Sequence, residues 1–199
     1  MLVDILRFTE YELVALFDNN INVKSPFSTV PFYHDKNHLE NFKKCGFAVA
    51  IGGSRGVDRV NISNELESLG FYPVTLVHQT AYVANDSKIG KGVQVLPMSK
   101  ICPRTKIGDY SIINTGASVD HESKLGQGVH LGPNSVLCGC VHVGDYSFIG
   151  ANATILPRIT IGNNVIVGAG AVVTKDICDD HVVVGAPAKP LEKHKNRKE

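Results

Sequence analysis

The apolar positions of this chain keep one period over half its length. Stepping by six from Ile89 through Val95, Ile101, Ile107 and onward to Val173 lands on an aliphatic residue fifteen times out of fifteen, and Val83 extends the row one step back. A longer period lies on top, because an aliphatic-Gly pair recurs at every third step of that row: Ile89-Gly90, Ile107-Gly108, Leu125-Gly126, Val143-Gly144 and Ile161-Gly162. Six matches neither the 3.6 of a helix nor a plain two-residue alternation, and the glycines break each strand. The spacing predicts a coil of three short strands, each sending one aliphatic side chain into a shared prism. Small or β-branched residues two positions earlier (Ser87, Ser99, Thr105, Ser111, Ala117, Ser123, Ser147, Ala153 and Ala171) are expected to fill the corners. Between residues 83 and 178 there are 23 Val and Ile against 5 Leu, which favours strand over helix. About five coils stacked at about 4.8 Å predict a prism roughly 25 Å tall.

The first eighty residues carry a different pattern. Leu2–Arg7 reads as the end of an amphipathic helix, and Glu12–Phe17 as a strand closing on the turn cluster Asp18-Asn19-Asn20. Lys36–Cys45 has helical character. Phe47–Ile51 reads as a short buried strand running into Gly52-Gly53. Val57–Leu69 has helical spacing and stops at Gly70, and Pro73–His78 reads as another strand. Strands alternating with helices imply a small parallel α/β layer. The expected organisation is an α/β part over residues 1–80, the repeat over 81–178, and a C-terminal segment with a basic tail over 179–199.

Charge and composition narrow the field. Among 199 residues, 20 Lys and Arg balance 19 Asp and Glu, without the clustered basic excess of a nucleic-acid binder. At 43% hydrophobic residues the chain is too apolar to be disordered. No apolar run approaches the roughly 18–20 residues that insert across a membrane, and Met1-Leu2-Val3-Asp4 lacks the basic start of a signal peptide. Cys45, Cys102, Cys138, Cys140 and Cys178 are odd in number and fit no disulfide framework, so reduced thiols and a cytoplasmic location are expected.

The pattern [LIV]-G-x-x-[STAV]-x resembles the hexapeptide-repeat acyltransferases. That resemblance implies a left-handed parallel β-helix, a hand that runs against the usual right-handed crossover. An α/β layer followed by such a helix is similar to one subgroup, the bacterial sugar acyltransferases that acetylate nucleotide-linked amino sugars or sialic acid for surface glycans. Three local stretches carry the likeness: Ala50-Ile51-Gly52; Ile113-Asn114-Thr115-Gly116-Ala117 ahead of Val119-Asp120-His121-Glu122; and Val184-Gly185-Ala186-Pro187-Ala188-Lys189. Members of the subgroup open with a strand and a Gly-rich turn that meets phosphates at a helix N-terminus. Here Met1 falls inside the helix that should follow, so an incomplete Rossmann-like layer and weak binding of a nucleotide sugar are expected. Gly52-Gly53-Ser54-Arg55 remains as the Gly-rich turn, either a structural turn or a ligand contact.

Chemistry concentrates near His121. It follows the inward Val119 by two, at the edge of a coil, and the residue one coil later is Gly139, which leaves room for a flexible thioester arm. The resemblance implies that His121 is the general base and that Glu122 raises its basicity. Strict strand alternation would point Glu122 away from the ring, so Asp120 stands as a rival. The resemblance also implies acetyl-coenzyme A as co-substrate, with His130 a contact. Small residues at Gly139, Ala151 and Ala169 would let the pantetheine arm and adenine lie along the helix edge, and a backbone N–H near Gly139 would receive an oxyanion. Asp18, Gly52 and Asn114 are the candidate contacts for the sugar acceptor, attacked through an amine or a hydroxyl. A homotrimer with the cofactor between prisms is expected, with no metal. Two other readings use the same fold. One is a zinc enzyme of the γ-carbonic anhydrase type, but His121, His130 and His142 lack that family's His-x4-His pair, and Cys138-Gly139-Cys140 supplies converging ligands only if it is a regular strand. The other is a non-catalytic assembly platform, which would need no base.

Overall fold

A computed structural model describes residues 2–191; most of the basic tail lies outside them. The repeat builds a left-handed parallel β-helix with three walls. From Leu76–Val77 to Thr154–Ile155 each strand pairs in parallel with the third strand after it, as Lys106-Ile107 does with Lys124-Leu125. Of the fifteen expected inward positions fourteen are buried, and Ile89, half-buried, stands at the open end of the prism. The corner residues Ser99, Thr105, Ser111, Ala117, Ser123, Ser147, Ala153 and Ala171 are fully enclosed, while Ser87 is half-buried.

Small size is only part of what the corners need. Ser111 Oγ accepts from the Val129 N–H at 3.1 Å and donates to the Gly126 carbonyl at 3.0 Å. Ser123 and Ser147 repeat the pattern further along the helix. These hydroxyls satisfy backbone groups that the corner turns away from the ladders, where an unmade bond would cost about 1–3 kcal/mol. The aliphatic-Gly pairs have an equally local cause. Asp145 Oδ1 accepts the Gln127 N–H at 3.0 Å and lies where a Cβ on Gly126 would be.

The walls differ in what they face. The covered wall contains seven parallel strands from Leu76–Val77 to Val182–Val184, with Lys189–Pro190 added antiparallel at the end. A second wall of six strands runs from Tyr82–Val83 to Val172–Val173 and presents small outward residues, Ser118, Val136, Thr154 and Val172. A third, of five strands, presents exposed Lys88, Lys106, Lys124 and His142. The coil therefore begins at Leu76 and still adds a wall strand at Val182–Val184, a few residues beyond both edges of the repeat.

The α/β layer packs on the covered wall. Helix α1 (Leu2–Leu6) buries Ile5 against Val74, Leu76, Leu96 and Ile112. Helix α2 (Gly56–Ser68) forms where expected, and Lys36–Phe42 is a 3-10 helix capped by Asp35. The strands are shorter than expected. Glu12–Phe17 reduces to Leu16–Phe17, paired with Phe32–Tyr33. Phe47–Ile51 reduces to a half-buried Gly46–Phe47, paired with Tyr72–Pro73. Pro73–His78 splits between that pair and the prism strand Leu76–Val77. The physical reason is competition for carbonyls: Gln94 Nε2 donates to Val49 O at 2.9 Å and Arg59 Nη1 to Ile51 O at 2.6 Å, so this stretch bonds to side chains rather than continuing a ladder.

The prism is the stability core. Leu131→Ala should lower the unfolding free energy by about 2–5 kcal/mol, whereas Lys124→Ala on the exposed wall should stay within about 0.5 kcal/mol. Urea denaturation of the two variants measures the contrast, and equal losses would contradict it.

Candidate functional site

His121 stands in the turn between the strands Ser118–Val119 and Lys124–Leu125. Its N–H donates to Asp120 Oδ1 at 2.7 Å. Glu122 has φ of 60°, a left-handed conformation uncommon for residues other than glycine, and this turns its carboxylate back so that Oε2 lies 3.1 Å from His121 Nδ1. Alternation fails here because the residue belongs to a corner and not a strand. The carboxylate on the ring is Glu122, and Asp120 holds the backbone. A carboxylate facing Nδ1 assigns the proton of the neutral ring to Nδ1 and leaves the lone pair on Nε2.

Nε2 faces Gly139, one coil on, where a Cβ would stand 2.5 Å from it. The Gly139 N–H has no acceptor among the described residues, while the neighbouring Cys140 N–H donates to the His121 carbonyl at 2.8 Å. With 49% of the His121 side chain and 44% of the Glu122 side chain exposed, the ring and its carboxylate open to solvent, while Gly139 beneath them is buried. Arg104 Nη2 also reaches Glu122 Oε2 at 3.5 Å, an exposed pair of small energetic weight.

A second group forms where the α/β layer meets the covered wall. His130 is 7% exposed. Its Nδ1 lies 3.3 Å from the Gly53 carbonyl and its Nε2 3.1 Å from Asn114 Nδ2. Asn114 Oδ1 accepts the Thr115 N–H, so the amide nitrogen is the atom facing the ring. Nδ1–H then donates to Gly53 and Nε2 accepts from Asn114, which requires a neutral imidazole. Burial first, and the Arg59 guanidinium second, push its pKa down to about 4, against a smaller raising effect of the Gly53 carbonyl. Gly52 lies against the ring, where a Cβ would be 3.2 Å from Cε1, and Gly53 holds φ of 63°, so this Gly-Gly pair serves as a turn whatever else it touches.

The candidate residues thus divide. His121, Glu122 and Gly139 share one corner; Gly52, Asn114 and His130 share the layer junction. Ala151 and Ala169 stack on the corner that leaves the covered wall, where Gly132 and Gly150 let successive coils close beneath them. Asp18 ends the strand Leu16–Phe17, accepting from the Asn20 N–H and from His34, with no hydrogen bond to either group among the described residues. His121, His130 and His142 lie on a corner and on the outsides of two walls, and do not converge within the chain. Cys138-Gly139-Cys140 is a turn, with Cys138 near Asp120 and Cys140 near Glu122. Val184–Lys189 turns back so that Lys189–Pro190 pairs with the last coil strand, beside a cavity of about 400 Å³.

Sequence reasoning missed Arg59. It is 1% exposed and donates to the carbonyls of Tyr110, Ile51 and Gly128 at 2.6–2.7 Å. A signal existed in the outward column of the covered wall: Gln94, Ile112, His130, Phe148 and Ile166 stand where the third wall has Lys88, Lys106 and Lys124.

The family described as bacterial transferase hexapeptide (six repeats) matches residues 86–121, 122–157 and 142–175. No curated protein matches the chain. Among solved structures, a mutant of perosamine N-acetyltransferase from Caulobacter crescentus, in complex with CoA and GDP-perosamine, is 36% identical with a TM-score of 0.88, over 96% of this chain and 90% of that one. The acetyltransferase domain of PglB from Neisseria gonorrhoeae, in complex with acetyl coenzyme A, is 31% identical with a TM-score of 0.85, over 96% and 91%. WeeI from Acinetobacter baumannii is 25% identical with a TM-score of 0.82, over 93% and 90%.

The neutral His130 has a consequence for pH. Its folded pKa of about 4 lies below the unfolded value of about 6.5, so the unfolded chain binds more protons between these limits. Its contribution to stability is present above pH 6.5 and is lost as pH falls toward 4. Relative to His130→Gln, the native chain should lose about 2–3 kcal/mol of stability across that window. Parallel stability curves for the two proteins, from denaturation at pH 7 to 4.5, would contradict the neutral assignment.

Proposed function

The chain belongs to the bacterial hexapeptide-repeat transferases, and from that membership we propose that it carries acetyl from acetyl-CoA to the amino group of a nucleotide-linked amino sugar. It is an acetyl-CoA-dependent sugar acyltransferase. The relatives that bind CoA with GDP-perosamine support an amine on a sugar nucleotide as acceptor. We place the reaction in the cytoplasm, in the making of a bacterial surface glycan; no helix of the described residues is long and apolar enough to cross a membrane.

The observation that carries the reading is the His121–Glu122 pair with Nε2 above Gly139. As the acceptor nitrogen attacks the thioester carbonyl, its proton passes to Nε2 while Nδ1–H stays bonded to Glu122, which stabilises the imidazolium. The carbonyl oxygen becomes an oxyanion, received by the Gly139 N–H, which has no acceptor among the described residues. Collapse breaks the carbon–sulfur bond, and the CoA thiolate takes the proton back from Nε2. The products are an acetamide and free CoA, with no covalent intermediate on the protein.

The proposed cofactor contacts fall on two corners, Gly139 on one and Ala151 with Ala169 on the other, with a whole wall between them. One cofactor touches both sets only if a second prism supplies one of them. The wall between presents Ser118, Val136, Thr154 and Val172, without a charged outward residue after Lys100, as packing against another copy requires. We therefore propose a homotrimer with the cofactor between prisms. His130 serves indirectly in this reading: its two nitrogens are engaged, and it fixes Asn114 and the Gly52-Gly53 turn, which with Asp18 form the proposed acceptor side.

His121→Ala should reduce turnover by about 10²–10⁴-fold while calorimetric binding of acetyl-CoA persists. A loss below tenfold would demote His121 to a positioning residue. Sedimentation equilibrium at micromolar concentration should give three copies of the 21.5 kDa chain; a monomer would rule out a cofactor site between prisms.

A further inference from the structure

We propose that His121, Glu122 and Cys140 form a site for a zinc-class divalent cation whose occupancy switches the base off. The ligand atoms of the three side chains lie within 4.8 Å of one another. Glu122 Oε2 is 3.1 Å from His121 Nδ1 and 3.8 Å from Cys140 Sγ. A tetrahedral ion with bonds of about 2.0–2.3 Å spaces its ligand atoms roughly 3.3–3.7 Å apart, so small rotations suffice to close the set. Nitrogen, carboxylate oxygen and thiolate are zinc's donors, and Mg²⁺ or Ca²⁺ would find one carboxylate where it needs several oxygens.

The coil register produces this juxtaposition. Cys140 stands one full coil after Glu122, on the same corner, and shares its left-handed backbone, with φ of 61° against 60°. The two side chains therefore leave the corner in the same sense. Arg104, the other group on Glu122 Oε2, is 66% exposed and yields to a divalent ion at little cost. The exposure of His121 and Glu122 leaves the fourth position to water. Cys138 does not share the site, because its neighbour is Asp120 and burial pushes its thiol pKa up.

Binding at Nδ1 has a specific chemical result. The metal takes the Nδ1 lone pair, so the proton of the neutral ring moves to Nε2. The Cys140 thiol releases its proton to solvent and binds as thiolate. One proton leaves, and the two positive charges of the ion meet one carboxylate and one thiolate. Nε2, which must accept the acceptor's proton, has become an N–H donor above Gly139. The inhibition rests on the reading of His121 as base; the binding site does not.

Cobalt(II) titrated into the full chain is the probe. One equivalent should produce a thiolate-to-cobalt charge-transfer band in the near ultraviolet, which zinc removes by displacement. Zinc should also lower turnover more than tenfold, with recovery on chelation, followed through the acetylated sugar because the thiol of released CoA binds zinc. Cys140→Ser should lose the band and the inhibition, while Cys138→Ser keeps both; unchanged melting temperatures show that each variant folds. Absence of the band in the native chain, its survival in Cys140→Ser, or zinc bound one per chain with turnover unaltered would overturn the proposal. If His121→Ala retains turnover, the base reading fails separately, and the native band still decides whether the metal site exists.

Discussion

Each coil closes after three strands, and this one constraint sets almost everything else. It stands every residue on its counterpart one coil away, about 4.8 Å distant, with no freedom to slip because a shift would take the aliphatic row out of the prism. Corner hydroxyls such as Ser111 reach the next coil because that distance is fixed. The same closure puts Gly139 on His121 and Cys140 on Glu122. Repetition supplies the scaffold, and departures from the repeat supply the proposed site: an imidazole, a carboxylate and a glycine at positions where other coils carry Pro103, Arg104 and Pro157.

The α/β layer is joined to this scaffold by a buried cation. Arg59 has no carboxylate partner among the described residues; its guanidinium is held by carbonyls from the layer and from two coils. Burial lowers its pKa to about 10, which still leaves it charged at neutral pH. Such a group is costly unless it is hydrogen-bonded, and here Nε, Nη1 and Nη2 donate to the carbonyls of Tyr110, Ile51 and Gly128, with Val129 a longer fourth partner. Two consequences follow at the site. The charge helps keep His130 neutral, and the bond to Ile51 holds the Gly52-Gly53 turn over that ring.

Legibility in the sequence followed the range of the interactions. The prism was readable because each inward residue repeats locally, and Leu131 or Ile149 is buried for the same reason as its neighbours one step along the row. His121 stood out as a candidate because its motif departs from the repeat and resembles a known family. The orientation of Glu122 was not, since alternation applies to strands and Glu122 lies in a corner with positive φ. Arg59 was hidden because its partners are 51 and 69 residues away, and nothing local distinguishes a buried Arg from a solvated one. The strands of the first eighty residues were overextended for a related reason: Val49 and Ile51 have strand-like side chains, but their carbonyls are taken by Gln94 and Arg59.

The central claim is that the corner holds His121 with its proton on Nδ1, so that Nε2 is free to take the acceptor's proton. Nitrogen-15 NMR of the imidazole, assigned by comparison with His121→Ala and recorded with acetyl-CoA bound at a pH where the ring is neutral, reports the tautomer directly. The account predicts a protonated Nδ1 and a bare Nε2. A resonance pair showing the proton on Nε2 would contradict it, because the nitrogen facing Gly139 would then be a donor and could not act as the base.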